Sequence, residues 1–319
     1  MKRIILIIVH VILSIGTLSA DNDPDFYYEG IGYNILSLSD QTCEIGKSSY
    51  GGEVVTKPIV EYRGKKFTVL GVGQQAFNGS RCTKATIGNG LKYVGDNAFS
   101  ICMNLRKIII TSSIVDLGSC SFGYNSKLEE VVIEDGDKEL VFHQTMRNFC
   151  PFERTSIKKL YIGRNHSSAI FDGKCNDITD LQIGDSITKF ELTDFPSLRR
   201  LTIGKNLVFL PYLNTGDYLT EIKVSSPIPQ NIGGFTKRTY MNAVLYVPIG
   251  TKELYEKAPG WSDFWDIREY EITQIKHTIV SRATVTQEFS IDGSLSSETS
   301  KGIKILKKTD GTCIKTIKK

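Results

Sequence analysis

Leu105-Arg106-Lys107-Ile108-Ile109-Ile110 decides the fold. Apolar residues occupy the first, fourth and sixth places of a six-residue frame. The frame returns as Leu128, Val131, Ile133; Ile157, Leu160, Ile162; Ile178, Leu181, Ile183; Leu198, Leu201, Ile203; and Leu219, Ile222, Val224. A weaker copy, Cys82, Ala85, Ile87, opens the series, and the start-to-start steps are 23, 23, 29, 21, 20 and 21 residues. The last positions of each frame alternate inward and outward like a short strand. A near-constant period of this length marks a solenoid of stacked coils.

A second frame runs beside the first. It reads Val72-Gly73-x-x-Ala76-Phe77, Val94-Gly95-x-x-Ala98-Phe99 and Leu117-Gly118-x-x-Ser121-Phe122. Glycine is expected to allow a tight backbone path. A small residue lets coils approach, and Phe fills the space between layers. A lone coil buries too little to offset the ordering of some twenty residues. Stability must therefore come from nearest-neighbour stacking. The 29-residue step holds an insertion, Glu134 to Phe152, in which Leu140-Val141-Phe142 can add a strand. Gly163, Gly184 and Gly204 each follow a strand triplet and are expected to turn the chain out of the sheet.

Five segments follow from these patterns. Residues 1–20 carry Lys2-Arg3, an apolar run and a small-residue end, the pattern of a secretory signal peptide too short to span a bilayer. No Cys follows the expected cleavage point, so a lipid-modified N-terminus is not expected. Residues 21–70 alternate β-formers and turns and are suited to an N-terminal β cap. Residues 71–229 hold the repeat array. Residues 230–274 carry a strand ending at Pro248 and a helical stretch after Thr251, read as its N-cap. Both tryptophans, Trp261 and Trp265, lie in this segment, which reads as the cap that an exposed solenoid end demands. Residues 275–319 form a small β appendage with turns at Asp292-Gly293 and Asp310-Gly311.

Charge is unevenly spread: 9 Lys/Arg against 4 Asp/Glu in 275–319, and 28 against 31 in 21–274. The body thus lacks the basic field of a nucleic-acid binder. The seven cysteines show no C-x-x-C spacing. Cys82 reads as a core hydrophobe, and Cys102 and Cys120, in neighbouring repeats, are candidates for pairing. No catalytic constellation emerges. His143, His166 and His277 are dispersed, and neither an H-E-x-x-H helix, a G-x-S-x-G elbow nor a phosphate loop is present. Asp135-Gly136-Asp137 lacks the other ligands of a calcium loop. No enzyme activity, cofactor or metal is expected.

The strand frames instead display a surface. The middle outward column reads Thr86, Ile109, Val132, Tyr161, Gln182, Thr202, Lys223. The column before it reads Lys84, Lys107, Glu130, Lys159, Asp180, Arg200, Glu221. Ile109, Val132 and Tyr161 would form an exposed apolar stripe flanked by Lys84, Lys107, Lys159 and Arg200, a candidate ligand-binding patch.

The paired frames over 72–133, Tyr161-Ile162-Gly163-Arg164-Asn165, and Leu245-Tyr246-Val247-Pro248 through Gly260-Trp261 resemble the BspA-like leucine-rich repeat family of Bacteroidetes surface and secreted proteins. The resemblance covers roughly 30–270. It implies a β-rich leucine-rich repeat solenoid at the cell surface or outside the cell. The implied function is adhesion or protein recognition, with a host matrix or microbial surface protein as partner. The Lys-rich tail resembles the short C-terminal sorting domains of the same bacteria, although Ser294 stands where a basic residue is usual. A monomer without a transmembrane segment in the mature chain is expected. A structural envelope component without a host ligand, or a carbohydrate-binding accessory protein, are the alternative readings.

Overall fold

The computed structural model describes residues 23–88, 90–142, 149–167, 170–171, 176–272, 285–290, 302–308 and 313–318. The expected signal segment 1–20, His143, Cys175, His277 and the Asp292-Gly293 and Asp310-Gly311 turns lie outside the described residues. The chain divides into two compact units, Met1–Ile272 and Thr273–Lys319.

The first unit is a parallel β-solenoid of about nine turns with little helix. Its long sheet has ten strands, every neighbouring pair parallel. In chain order they are Gly51–Val55, Arg81–Ile87, Lys107–Ile110, Glu130–Ile133, Lys159–Ile162, Asp180–Ile183, Arg200–Ile203, Glu221–Val224, Val244–Pro248 and Asp266–Tyr270. Equivalent frame residues stand in direct register: Ala85, Ile108, Val131, Leu160, Leu181, Leu201, Ile222 and Leu245 form one buried column. A period-2 strand with one buried face fixes register this way, because a one-residue slip would turn every aliphatic side chain outward.

A second sheet forms the other wall. Phe26–Tyr28, Ile31–Ser37 and Thr42–Ile45 run antiparallel to one another, and Thr42–Ile45 joins Lys65–Val72 in parallel. Tyr93–Val94, Asp116–Leu117 and Val141–Phe142 continue the sheet. Val72, Val94 and Leu117, which lead the second sequence frame, are buried from it. Val141–Phe142 is the strand contributed by the insertion.

Between the sheets, Phe77, Phe99, Phe122, Phe152 and Phe171 stack in a continuous run with centroid separations of 4.7, 5.7, 5.1 and 5.2 Å. All five rings are buried. The glycine expectation needs revision. Left-handed backbone in the Gly-x-x-Ala-Phe turns falls on Gln75, Asn97 and Cys120 rather than on glycine. The glycines instead mark where adjacent coils touch. A Cβ on Gly95 would lie 2.8 Å from the Gln74 nitrogen, and one on Gly163 or Gly204 would strike the backbone of Asp135 or Gly184.

The aromatic run passes to the later coils through His166, whose ring meets Phe171 and Phe190 edge-on at 6.0 and 6.5 Å. His166 is buried, its Nδ1 lies 2.9 Å from the Ser167 carbonyl, and its Nε2 has no partner among the described residues. Burial pushes its pKa below the ordinary histidine value, while the Ser167 carbonyl, Glu191 and Glu139 act the other way. At high pH both folded and unfolded states hold the ring neutral. As pH falls past about 6.5 the unfolded chain takes up the proton first. Stability is therefore expected to decline from there until the depressed folded pKa is passed. Urea midpoints at pH 7.5 and 5.5 should separate more in the wild type than in His166→Leu, and parallel profiles would refute this role.

At the far end, Thr251 is the N-cap residue of the short helix Lys252–Tyr255, as expected, but its side chain makes no capping bond. Its hydroxyl donates to the Pro248 carbonyl at 2.7 Å. Side-chain capping occurs earlier, where Thr236 accepts from the Thr239 N–H ahead of helix Lys237–Asn242. Trp261 is buried and donates from Nε1 to the Gln230 carbonyl at 2.7 Å, whereas Trp265 is 73% exposed. Among the described residues no helix is long and apolar enough to cross a membrane. The second unit contains an antiparallel sheet, Val285–Ser290, Gly302–Lys308 and Cys313–Lys318.

Candidate functional site

Direct register turns the outward residues of the long sheet into straight columns. Lys84, Lys107, Glu130, Lys159, Asp180, Arg200 and Glu221 follow one another on successive strands. Most of their charges are engaged along the face: Lys84 with Glu53 at 2.6 Å, Lys107 with Glu130 at 2.6 Å, Arg200 with Asp180, and Glu221 with Lys223 at 2.7 Å. Such partly exposed pairs each add at most about 1 kcal/mol to stability. Their larger effect is to fix an alternating pattern of charge. Lys159 stands between Glu130 and Asp180, whose carboxylates bind other cations, and it makes no ion pair among the described residues.

The middle column departs from expectation. Ile109 and Val132 are only 5% and 3% exposed, so they present no open apolar stripe. Each is walled by its column neighbours, Thr86, Ile109, Val132 and Tyr161 in sequence, at a strand spacing of about 4.8 Å. Tyr161 is half-buried, and its hydroxyl donates to Asp135 Oδ2 at 2.8 Å. Burial, and then the Asp135 carboxylate, raise its pKa. Of the expected set, Lys159 and Arg200 are exposed, and Lys84 and Lys107 are half-buried.

Sequence reading missed a groove beside this ladder. It has a volume of about 610 Å³ and is lined by Ser126, Glu129, Ser156, Lys158, Asp177, Thr179, Ser197, Arg199 and Tyr218. These residues sit just before the strands Glu130–Ile133, Lys159–Ile162, Asp180–Ile183, Arg200–Ile203 and Glu221–Val224. Their common signal was the polar residue on either side of the first apolar frame position, as in Ser156 and Lys158 around Ile157, or Ser197 and Arg199 around Leu198. Glu129 and Lys158 pair at 3.6 Å, and the Arg199 guanidinium lies 5.7 Å from the Tyr218 ring centroid.

Cys102 does not face Cys120. Ser80 Oγ lies 3.2 Å from Cys82 Sγ and 3.5 Å from Cys102 Sγ, and the Cys102 thiol donates to the Phe77 carbonyl at 3.0 Å. Both sulfurs are fully buried, and all five described cysteine side chains are free thiols. Among the described residues no three His, Cys, Asp or Glu side chains converge as a metal site would require.

Residues 65–169 match the BspA type leucine-rich repeat region in six copies. These coils are BspA-type leucine-rich repeats. No curated protein matches the sequence. The chain is similar to a solved leucine-rich repeat protein from Bacteroides capillosus, at 14% identity over 42% of this chain and 97% of that one, with a TM-score of 0.34. It is also similar to a leucine rich cell surface protein from Faecalibacterium prausnitzii, at 13% identity over 80% and 97% of the two chains, with a TM-score of 0.33. A leucine-rich repeat protein from T. pallidum gives 13% identity over 72% and 92%, with a TM-score of 0.36. Leucine-rich repeat solenoids are typically binding proteins, and they generally mediate protein interactions.

Proposed function

We propose that this chain is an exported recognition protein that binds a protein partner at the bacterial cell surface, without catalysing a reaction. The ladder through Lys159, Asp180 and Arg200 is the observation that supports this most. It sets alternating charges at strand spacing on a rigid face, and such a pattern selects a partner of complementary pattern rather than a small molecule. Among the described residues Lys159 makes no ion pair, and Arg200 is exposed one strand beyond Asp180. Lys84 and Lys107 extend the same column, and Ile109, Val132 and Tyr161 form the packed floor from which it rises. Host matrix proteins and the surface proteins of other microbes are the partner classes this reading favours.

The test is a double charge reversal, Lys159→Glu with Arg200→Glu. Binding to immobilised matrix proteins and to whole bacterial cells is expected to fall by roughly a hundredfold or more, since reversal places like charges across the interface. The reversed column sets five carboxylates side by side and should cost stability, so Lys159→Gln with Arg200→Gln, whose thermal unfolding should move less, is tested beside it and should also weaken binding. A partner captured equally well by wild type and both double variants would refute the site. Antibody labelling of intact cells tests the location, and signal only after lysis would refute surface display.

A further inference from the structure

The geometry points to a second binding activity: the groove from Glu129 to Tyr218 accepts a linear neutral oligosaccharide, one pyranose ring per coil. Successive coils repeat the same two rows of polar side chains. Ser156, Asp177 and Ser197 stand in one row, and Lys158 and Arg199 in the next, with Tyr218 at the end. Coils in a parallel sheet are about 4.8 Å apart, close to the length of one pyranose residue in an extended chain. Equivalent hydroxyls of consecutive sugars would therefore meet equivalent positions of consecutive coils.

The side chains suit that ligand. Carboxylates accept, Lys and Arg donate, and Ser does both, which is what rows of vicinal hydroxyls require. Tyr218 is 57% exposed with a polar tip, a ring on which the C–H face of a sugar can pack. Charge in the groove balances: Glu129 is paired with Lys158, and Asp177 offsets Arg199. A polyanion gains no field from such a surface. A peptide finds one exposed aromatic and no apolar pocket to anchor it. The site does not depend on the protein-binding reading of the ladder.

The test titrates the full chain with cellohexaose, mannohexaose, maltohexaose and an oligogalacturonate hexamer, followed by calorimetry and ligand-observed NMR. At least one neutral hexasaccharide is expected to bind, and its dimer to bind far more weakly. Tyr218→Ala should lower affinity roughly tenfold, the size of one lost aromatic contact, and Asp177→Ala should also weaken binding. Lys66→Gln, exposed on the other sheet, should leave it unchanged. Tyr218 is exposed, so an unaltered melting curve would confirm that its variant is folded. Absence of binding by all three neutral hexamers, tighter binding of the galacturonate, or undiminished affinity in Tyr218→Ala would overturn the proposal.

Discussion

Phe122→Ala is expected to cost about 3–5 kcal/mol of folding stability, the range for truncating a buried aromatic side chain that leaves a cavity. The ring is wholly buried and stacks on both sides, with Phe99 at 5.7 Å and Phe152 at 5.1 Å. Each coil is fixed mainly by its two neighbours, so the cavity weakens two interfaces at once. Relaxation is restricted, because Gly118 already holds the adjoining coil against Asp96 and Gly95. Phe122→Leu keeps most of the volume and should cost far less. Urea unfolding followed by circular dichroism measures both variants. Hydrogen exchange should rise first in the strands Lys107–Ile110 and Glu130–Ile133, which flank the void. A loss below about 1 kcal/mol for the alanine variant would show that the aromatic run does not couple the coils.

The repeat frame made the long sheet legible, because burial of Ile108, Val131, Leu160 and Leu201 is a local, period-2 property. It placed the strands from Arg81–Ile87 to Glu221–Val224 and implied their register, whereas Asp266–Tyr270, beyond the frame, carries no such pattern. The state of the outward column was not legible in the same way. Whether Ile109 is exposed depends on Thr86 and Val132, which lie 23 residues away on either side. The frame said what faces outward but not what the neighbours cover. Glycine showed the same limit: its sequence pattern suggested turns, whereas its use at Gly95, Gly163 and Gly204 is contact between coils. The groove failed for another reason. Its residues are ordinary polar types that carry meaning only once Ser156, Asp177 and Ser197 are stacked into one row. Repeat order leaves cysteine pairing open, and the neighbour of Cys102 is Cys82, with Ser80 bonded to both.

Arg164 was the least legible residue of all, and its removal carries the second large expected effect. A charged residue after a strand reads as surface, yet Arg164 is fully buried. Its guanidinium reaches back to donate to the Ser112 carbonyl at 2.9 Å and the Thr111 carbonyl at 3.1 Å, and among the described residues Nε has no partner. Glu134 lies between, accepting from the Ser112 N–H at 3.3 Å. Burial raises the Glu134 pKa, while that N–H and the Arg164 charge lower it. One side chain thus ties three consecutive coils together. Arg164→Ala strips donors from two carbonyls, empties the space of a buried side chain and removes the charge that favours the half-buried Glu134 carboxylate, so a loss of about 3–5 kcal/mol is expected at neutral pH. The pH dependence distinguishes this from simple loss of packing. Without Arg164 the folded-state pKa of Glu134 rises further above its unfolded value. The folded form then binds the proton more readily, and the destabilisation should shrink as pH falls from 7.5 towards 5. Arg164→Met with Glu134→Gln keeps the stem and removes the carboxylate charge, and should recover much of the stability. Urea midpoints for the three variants at both pH values give the answer. If Arg164→Ala unfolds at the wild-type midpoint, or the double variant is no more stable than the single one, the buried guanidinium is not what clamps these coils.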